Sequence, residues 1–166
     1  LAGTYARDKD APVAVMLLCE VACWYKKHGK TLKDAMNDLY RKYGYFRETL
    51  FTITKKGEDG AMAIKSMMET MRNEPVADIG EYKVFALRDY KSGIRKDMAS
   101  GQESRLSLPE SNVLYYELSD GAWCCVRPSG TEPKIKFYMG VKGESVSDAD
   151  KKLEELKSAM TKLAEN

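Results

Sequence analysis

"GAWCCVRPSGTEPKIKFYMGV", residues 121–141, places a short polar segment between two runs rich in aromatic and β-branched residues. Such runs are typical of strands, and prolines at positions 128 and 133 restrict the backbone near each end of the polar segment. Because Cys124 and Cys125 are adjacent in the first run, their side chains would point to opposite faces of a sheet. The stretch therefore predicts two strands joined by a restrained loop, with Arg127 on a rigid base at the end of the first strand.

The sequence around this stretch predicts further strands. Asp120-Gly121 is typical of hairpin turns, so the run before it, residues 112–120, should pair with the run after it. Strand patterns also cover residues 45–53 and 82–90. The turn-rich segment of residues 91–111 predicts at most one short edge strand.

Two amphipathic helices are predicted in the same part of the chain. The first covers residues 57–73, and the last runs from about Asp148 to Ala164, with Ser147 as its cap and Asp150 three residues on. Their apolar faces, at helical spacing, are Ala61, Ile64, Met68 and Met71 in the first and Ala149, Leu153, Leu156, Met160 and Leu163 in the last. From residue 45 onward the expected fold is α+β, an antiparallel sheet flanked by two helices.

Residues 1–44 are predicted to be helical after a polar start. One helix runs from about Ala11 to His28, and a second from about Leu32 to Tyr43 begins at Thr31, with Asp34 completing a capping box. The first helix is apolar nearly all the way round, which predicts that most of its surface is buried.

Composition argues against several classes of protein. The chain has 27 basic and 25 acidic residues, and a net charge of +2 with mixed signs argues against a general polyanion-binding surface. The most apolar segment, residues 11–25, is interrupted by Glu20 and is too short to span a bilayer. Since no signal peptide is visible either, a soluble, cytoplasmic protein is expected. Four cysteines without a CxxC pair and a single histidine, His28, predict no metal site.

The loop of residues 127–134 carries the chemistry of a phosphate site. Arginine can bind phosphate through two parallel hydrogen bonds, hydroxyls donate, and a glycine permits an unusual turn that presents N–H groups to an anion. These donors and charges come from Arg127, Ser129, Gly130, Thr131, Lys134 and Lys136. The alternative is a plain Ser-Gly turn with solvated lysines. Neither a GxxxxGK[ST] P-loop nor a GxSxG nucleophile elbow is present.

RPSGTEPKIKFY, residues 127–138, closely resembles the phosphate-binding loop in the last domain of the α-D-phosphohexomutases, the family of phosphoglucomutases and phosphomannomutases. LAGTYARDKD, residues 1–10, with the apolar helix after it, is similar to the stretch that follows the sugar-binding loop in that family's third domain. The resemblance implies that residues 1–44 are the helical tail of a truncated α/β third domain. Residues 45–166 would then be the C-terminal phosphate-binding domain, with a fold like that of the TATA-box-binding protein.

The resemblance also implies roles for single residues. Lys136 matches a basic position after the loop, where lysine replaces an expected arginine and cannot make the forked contact. Lys9 matches an active-site lysine near the transferred phosphoryl group, and Arg7 is a weaker candidate beside it; by themselves, residues 7–10 would be a solvated charge run. Lys134 is a further possible contact. The residues that match the loop around the phosphate that is not transferred are Arg127, Ser129, Gly130 and Thr131.

Several parts of the family's machinery have no counterpart in this sequence. No string resembles the phosphoserine segment TASHNP, the Mg²⁺ loop DGDxDR or the sugar-binding loop GEESxG. The chain therefore resembles the C-terminal piece of a longer enzyme, an intramolecular phosphotransferase, and by itself should be inactive. The resemblance implies Mg²⁺ and a hexose 1,6-bisphosphate in the full-length enzyme, the missing N-terminal domains as partners, and a sugar phosphate as substrate. The resemblance implies a mutase that acts on hexose phosphates, and phosphopentomutase or phosphoglucosamine mutase activity is the alternative within the same family.

A nucleic-acid-binding module is the alternative from a different class. A sheet backed by helices with Tyr82, Tyr90, Tyr115 and Tyr116 would fit loosely. However, Tyr115 and Tyr116 alternate faces, and the sequence has no RNP-like string or basic stripe. We therefore expect neither nucleic acid nor a membrane as partner.

The two helices of residues 11–43 carry a large apolar surface. Their apolar surface exceeds what the two can bury against each other, because the family's third-domain sheet would cover the rest. These helices could self-associate, pack onto residues 45–166 or be disordered, and of the three we expect self-association through residues 11–43.

Overall fold

The computed structural model describes residues 3, 4, 6 and 8–165 of the 166-residue chain. These residues form two compact units, Leu1–Gly44 and Tyr45–Asn166, and each is described by itself.

The first unit consists of two helices, α1 (Ala11–Lys27) and α2 (Leu32–Tyr43). The Asp10 carboxylate accepts a hydrogen bond from the Val13 N–H at 3.1 Å and so caps α1. At the start of α2, the Thr31 hydroxyl accepts from the Asp34 N–H and the Asp34 carboxylate accepts from the Thr31 N–H, which confirms the predicted capping box.

The surface of α1 differs from the prediction. The expectation that this helix is buried on most of its surface is wrong, because none of its residues is buried. Its apolar side chains outnumber what one neighbouring helix can cover, since α2 can contact only one side of it. The large apolar side chains left exposed are Val15, Met16, Leu17, Leu18, Val21 and Trp24.

The second unit is a sheet with two helices, α3 (Gly57–Asn73) and α4 (Val146–Glu165). Seven strands lie in the order β1-β8-β7-β6-β3-β4-β5, all neighbours antiparallel, and β2 pairs with β3. Their bounds are β1 Tyr45–Thr54, β2 Asp78–Ile79, β3 Tyr82–Asp89, β4 Ile94–Asp97, β5 Glu103–Arg105, β6 Leu114–Leu118, β7 Trp123–Pro128 and β8 Lys134–Gly143. The predicted α+β class is confirmed.

The core lies between one face of the sheet and the two helices. Alternate residues of the central strands β6, β7 and β8 point into it, as the period of two requires. Four methionines lie in it, from both helices and β8: Met68, Met71, Met139 and Met160. Met is unbranched and fills irregular gaps, which suits a helix-on-sheet interface. The opposite face of these strands carries the half-buried and exposed side chains and is called the open face below.

Several details of the second unit correct the sequence-based expectations. The segment of residues 91–111 forms two short strands, β4 and β5, rather than at most one. Ala61 is exposed, whereas Gly60 is buried against Lys55, where a Cβ would lie 2.7 Å from Lys55 Cβ. Leu163 is only partly buried, whereas Ala164 is buried.

The cap of α4 also differs from the prediction. The Asp148 N–H donates to the Ser145 hydroxyl at 3.1 Å, so the cap is Ser145 and not Ser147. The Asp150 carboxylate accepts from the Arg47 guanidinium of β1 at 2.7 Å, so it is engaged by the sheet rather than by the start of the helix.

Candidate functional site

Two cations stand side by side on the open face, where β7 and β8 approach the loop that joins them. Arg127 and Lys136 are directly opposed in the antiparallel ladder, and both side chains are exposed. Directly opposed residues have Cβ atoms about 4.5–5.5 Å apart, and like charges on such a pair are destabilising. Within residues 8–165 neither has an ion-pair partner. The pair is therefore poised to bind an anion.

The loop after β7, residues 129–133, has a backbone held by hydrogen bonds. The Ser129 N–H donates to the Lys134 carbonyl at 2.7 Å, and the Lys55 N–H donates to the Pro133 carbonyl at 3.0 Å. The Thr131 N–H donates to the Ser129 hydroxyl oxygen at 3.4 Å. Since Ser129 Oγ accepts in that contact, its proton stays available for a ligand.

A cavity of about 180 Å³ lies against the two cations on the open face. Its lining brings together four of the residues predicted for the site and adds two others: Arg127, Pro128, Ser129, Gly130, Lys136 and Tyr138. Sequence reasoning missed Tyr138. The alternation of β8 was the available signal, because Tyr138 lies two residues after Lys136 and so on the same face.

The expectation that Gly130 permits a turn that only glycine can adopt is wrong. Its φ does not lie in the left-handed region, where a glycine would be needed. A Cβ at Gly130 would meet no atom within 4 Å, so the glycine leaves open space beside the cavity instead.

Two other predicted residues lie elsewhere in the loop. Thr131 lines a different cavity, of about 370 Å³, between the loop and α3. The Lys134 ammonium lies 3.1 Å from both carboxylate oxygens of Glu132. That pairing neutralises the carboxylate of the loop and leaves the charge of Arg127 and Lys136 uncompensated there.

Neighbouring groups on the open face add no net negative charge. Burial raises the pKa of the Cys125 thiol more than the nearby Arg127 lowers it, so Cys125 stays neutral. Further along the face, Glu117 lies between Arg88 and Arg95 and accepts hydrogen bonds from both. The hydrogen bond from Arg95 is the largest contribution that lowers the pKa of Glu117 to about 2. Glu117 is therefore committed to those arginines and does not compete with a ligand of Arg127.

The residues predicted near the start of the chain belong to the first unit. Lys9 is exposed, and its ammonium lies 2.6 Å from the Asp8 carboxylate. Arg7 lies outside the described residues. The structure thus gathers Arg127, Ser129, Gly130 and Lys136, whereas Lys9 lies in a separate compact unit.

The described part of the chain offers neither a metal site nor a membrane span. Within it, no group of three or more His, Cys, Asp or Glu side chains could hold a metal ion. None of its helices is both long and apolar enough to cross a bilayer.

Comparisons with known proteins agree with one another. Residues 71–162 match the family described as phosphoglucomutase/phosphomannomutase, C-terminal domain. A phosphoglucomutase of Staphylococcus saprophyticus is 36% identical over 154 residues, which are 93% of this chain and 28% of that protein. A phosphoglucomutase of Staphylococcus aureus is 37% identical over 153 residues, again 28% of its length. The chain thus spans little more than a quarter of these relatives.

A solved structure shows the same fold. The open form of the Paramecium exocytosis-sensitive phosphoprotein pp63/parafusin, described as a phosphoglucomutase, matches with a TM-score of 0.56 at 13% identity. The match covers 97% of this chain and 28% of that one.

Proposed function

The chain belongs to the phosphoglucomutase and phosphomannomutase family, and from that premise we propose that residues 45–166 bind the phosphate of a sugar phosphate. The phosphate held here is the one that is not being transferred. Its proposed ligands at the cavity are the Arg127 guanidinium, the Ser129 hydroxyl, the Gly130 backbone and the Lys136 ammonium. The Thr131 N–H would join them by turning away from Ser129 Oγ. The domain acts by positioning the substrate, which can supply a large part of a phosphoryl-transfer rate enhancement.

The observation that carries this proposal is the opposed pair of Arg127 and Lys136 at one cavity. Two exposed cations on directly opposed residues repel each other, and an anion bound between them would relieve that repulsion. Arginine adds a planar fork that matches two phosphate oxygens, and the rigid strand pair fixes its direction. Ser129 and Gly130 close the loop end of the cavity with small groups that admit an anion.

In the longer protein, the proposed reaction interconverts the 1- and 6-phosphates of a hexose. A phosphoserine gives its phosphoryl group to the sugar phosphate, which forms a 1,6-bisphosphate. The bisphosphate reorients in the site and returns its other phosphoryl group to the serine. A site that binds the phosphate can hold either end of the sugar during this exchange. Lys9 is proposed to act near the transferred group.

We assign the metal chemistry of the proposed reaction to residues other than those that the structure describes. Mg²⁺ would stabilise the transferring group in the full-length enzyme. The described residues offer no carboxylate cluster for it, and no step assigned to them depends on a metal. The 166-residue chain alone is proposed to be inactive, and its cellular place to be the cytoplasm.

The structure does not favour the nucleic-acid alternative. Tyr82 and Tyr116 are buried, and their hydroxyls donate to the backbone carbonyls of Lys152 and Met71. They cannot stack on bases. The sugar attached to the phosphate is less constrained, so hexose, pentose and glucosamine phosphates all fit the proposal.

An NMR titration of the 166-residue chain with inorganic phosphate and with glucose 6-phosphate tests the proposal. We expect shifts at residues 127–136 with both ligands. Arg127→Ala should weaken both at least tenfold, because it removes a forked charged contact. Arg105→Ala, an exposed arginine on β5, is the matched control and should change neither.

Shifts that lie elsewhere, or that persist unchanged in Arg127→Ala, would contradict the proposed site. A coupled assay with glucose 1-phosphate, its bisphosphate and Mg²⁺ should give only background. Turnover that stays with the chain through repurification would contradict the inactivity.

A further inference from the structure

Tyr138 is placed to contact a ligand of the cavity at the end away from the loop. It lies on β8, two residues after Lys136 and on the same face, and it lines the cavity. In the ladder it stands between Cys125 of β7 and Leu50 of β1. Its side chain is half-buried, so part of the ring is accessible.

The cavity has a direction set by the strands. Ser129 and Gly130 line one end, the opposed Arg127 and Lys136 lie next, and Tyr138 follows one step further along β8. A step of two residues in a strand is about 6.8 Å. A phosphate seated between the loop and the two cations would therefore leave the Tyr138 end for the group esterified to it.

The side chain of Tyr138 is not committed to another contact. Among the residues that the structure describes, its hydroxyl has no hydrogen-bond partner and its ring has no aromatic or cationic neighbour. Tyr115, in the same cross-strand row, differs: its ring stacks on Trp123 at 5.7 Å and lies under the Arg88 guanidinium at 5.2 Å. A half-exposed tyrosine with a free ring and a free hydroxyl is suited to a ligand that is apolar on one side and carries hydroxyls.

We propose that Tyr138 contacts the organic group of a bound phosphate monoester, so that the cavity prefers polyol and sugar phosphates over free phosphate. The inference rests on the proposed function, since it needs the phosphate at Arg127 and Ser129. A bare phosphate gains little from Tyr138, because its charged oxygens are repelled by the negative face of the ring. A sugar presents C–H groups to that face and hydroxyls to the phenol. The contact is not specific for one stereochemistry, so it tolerates either end of the sugar.

Dissociation constants for glucose 6-phosphate and for inorganic phosphate, measured on the full chain and its variants, test this inference. Tyr138→Ala should weaken glucose 6-phosphate about three- to tenfold, the range expected for losing an aromatic contact, and leave inorganic phosphate within about twofold. Tyr138→Phe keeps the ring and should lose at most the part due to the hydroxyl, about two- to threefold. Leu50→Ala, at the exposed cross-strand neighbour outside the cavity, should change neither constant.

The outcomes separate this inference from the proposed function. If Tyr138→Ala weakens both ligands equally, or neither, the preference for monoesters is wrong even if Arg127→Ala abolishes binding. If Arg127→Ala leaves phosphate binding intact, the proposed function itself fails. Thermal unfolding of each variant shows whether it is folded. If Tyr138→Ala is unfolded, Tyr138→Leu, which removes the ring but keeps a large apolar side chain, replaces it and should show the same selective loss of glucose 6-phosphate binding.

Discussion

At the scale of single residues, Glu117 is the most strongly perturbed carboxylate outside the cavity. It accepts from the Arg95 guanidinium through both oxygens, at 2.8 Å each, and from Arg88 through one. Its side chain is only 23% exposed, so water screens the cluster incompletely. A shift of the pKa from 4.5 to about 2 stabilises the fold when the carboxylate is ionised.

We predict that Glu117→Gln lowers the free energy of unfolding by about 2 kcal/mol at pH 7. Because the folded-state pKa is lowered, the stabilisation is complete above the unfolded-state value near 4.3 and is lost as the pH falls toward 2. The difference between variant and parent should therefore shrink between about pH 4.5 and pH 2. Denaturant unfolding at several pH values measures it.

Glu48→Gln is the control for this prediction. Glu48 lies in the same cross-strand row as Glu117, three strands away on β1, and is exposed. Its substitution should change the stability little at any pH. A constant difference between Glu117→Gln and the parent from pH 7 to pH 2 would show that charge is not what Glu117 contributes.

At the scale of elements, the start of α4 offers a direct test of the cap. The Ser145 hydroxyl accepts from the Asp148 N–H, so Ser145→Ala should cost about 1 kcal/mol of stability. Ser147→Ala is the matched control and should be neutral or slightly stabilising, since alanine is the better helix former. Thermal unfolding of both variants measures these changes in stability. If Ser145→Ala and Ser147→Ala destabilise the protein equally, Ser145 is not the cap.

The same helix shows where prediction from sequence ends. Ser145 and Ser147 are each followed three residues later by an aspartate, so the local pattern allows two caps. The local pattern does not show that Asp150 is engaged by Arg47, which is 103 positions away. Local patterns predict most of the helices and strands and the sheet covered by two helices. The loop residues Arg127, Ser129 and Lys136 are predicted from their chemistry and from the resemblance. Tyr138 could be found from the alternation of β8, whereas the contacts of Glu117 depend on strand register, which links residues distant in sequence.

At the scale of the whole molecule, the exposed apolar surface of α1 predicts self-association through residues 11–43. Full burial of one such side chain is worth about 1.5–3 kcal/mol, and six large ones are exposed. The 166-residue chain should therefore sediment as a dimer or larger species at micromolar concentration. Leu18→Asp should shift it toward the monomer, because burying an unpaired charge opposes association.

Leu108→Asp provides the comparison for this prediction, since Leu108 is an exposed leucine of the second unit. It should leave the sedimentation unchanged. A parent chain that sediments as a monomer with α1 folded would show that no second copy covers these side chains.

The methionines of the core have a consequence for chemical reactivity. Met68, Met139 and Met160 are at most 1% exposed, whereas Met16, Met36 and Met62 are between 48% and 70% exposed. Peroxide converts an accessible thioether to a polar sulfoxide, so the second group is open to it in the folded chain. The first group is reached only when the second unit opens, and a sulfoxide formed there hinders its closing again. Oxidation of Met62 would thus leave the fold intact, whereas oxidation of Met16 or Met36 would make the surface predicted for self-association more polar. Oxidation of the core methionines would become permanent only in molecules that have already unfolded.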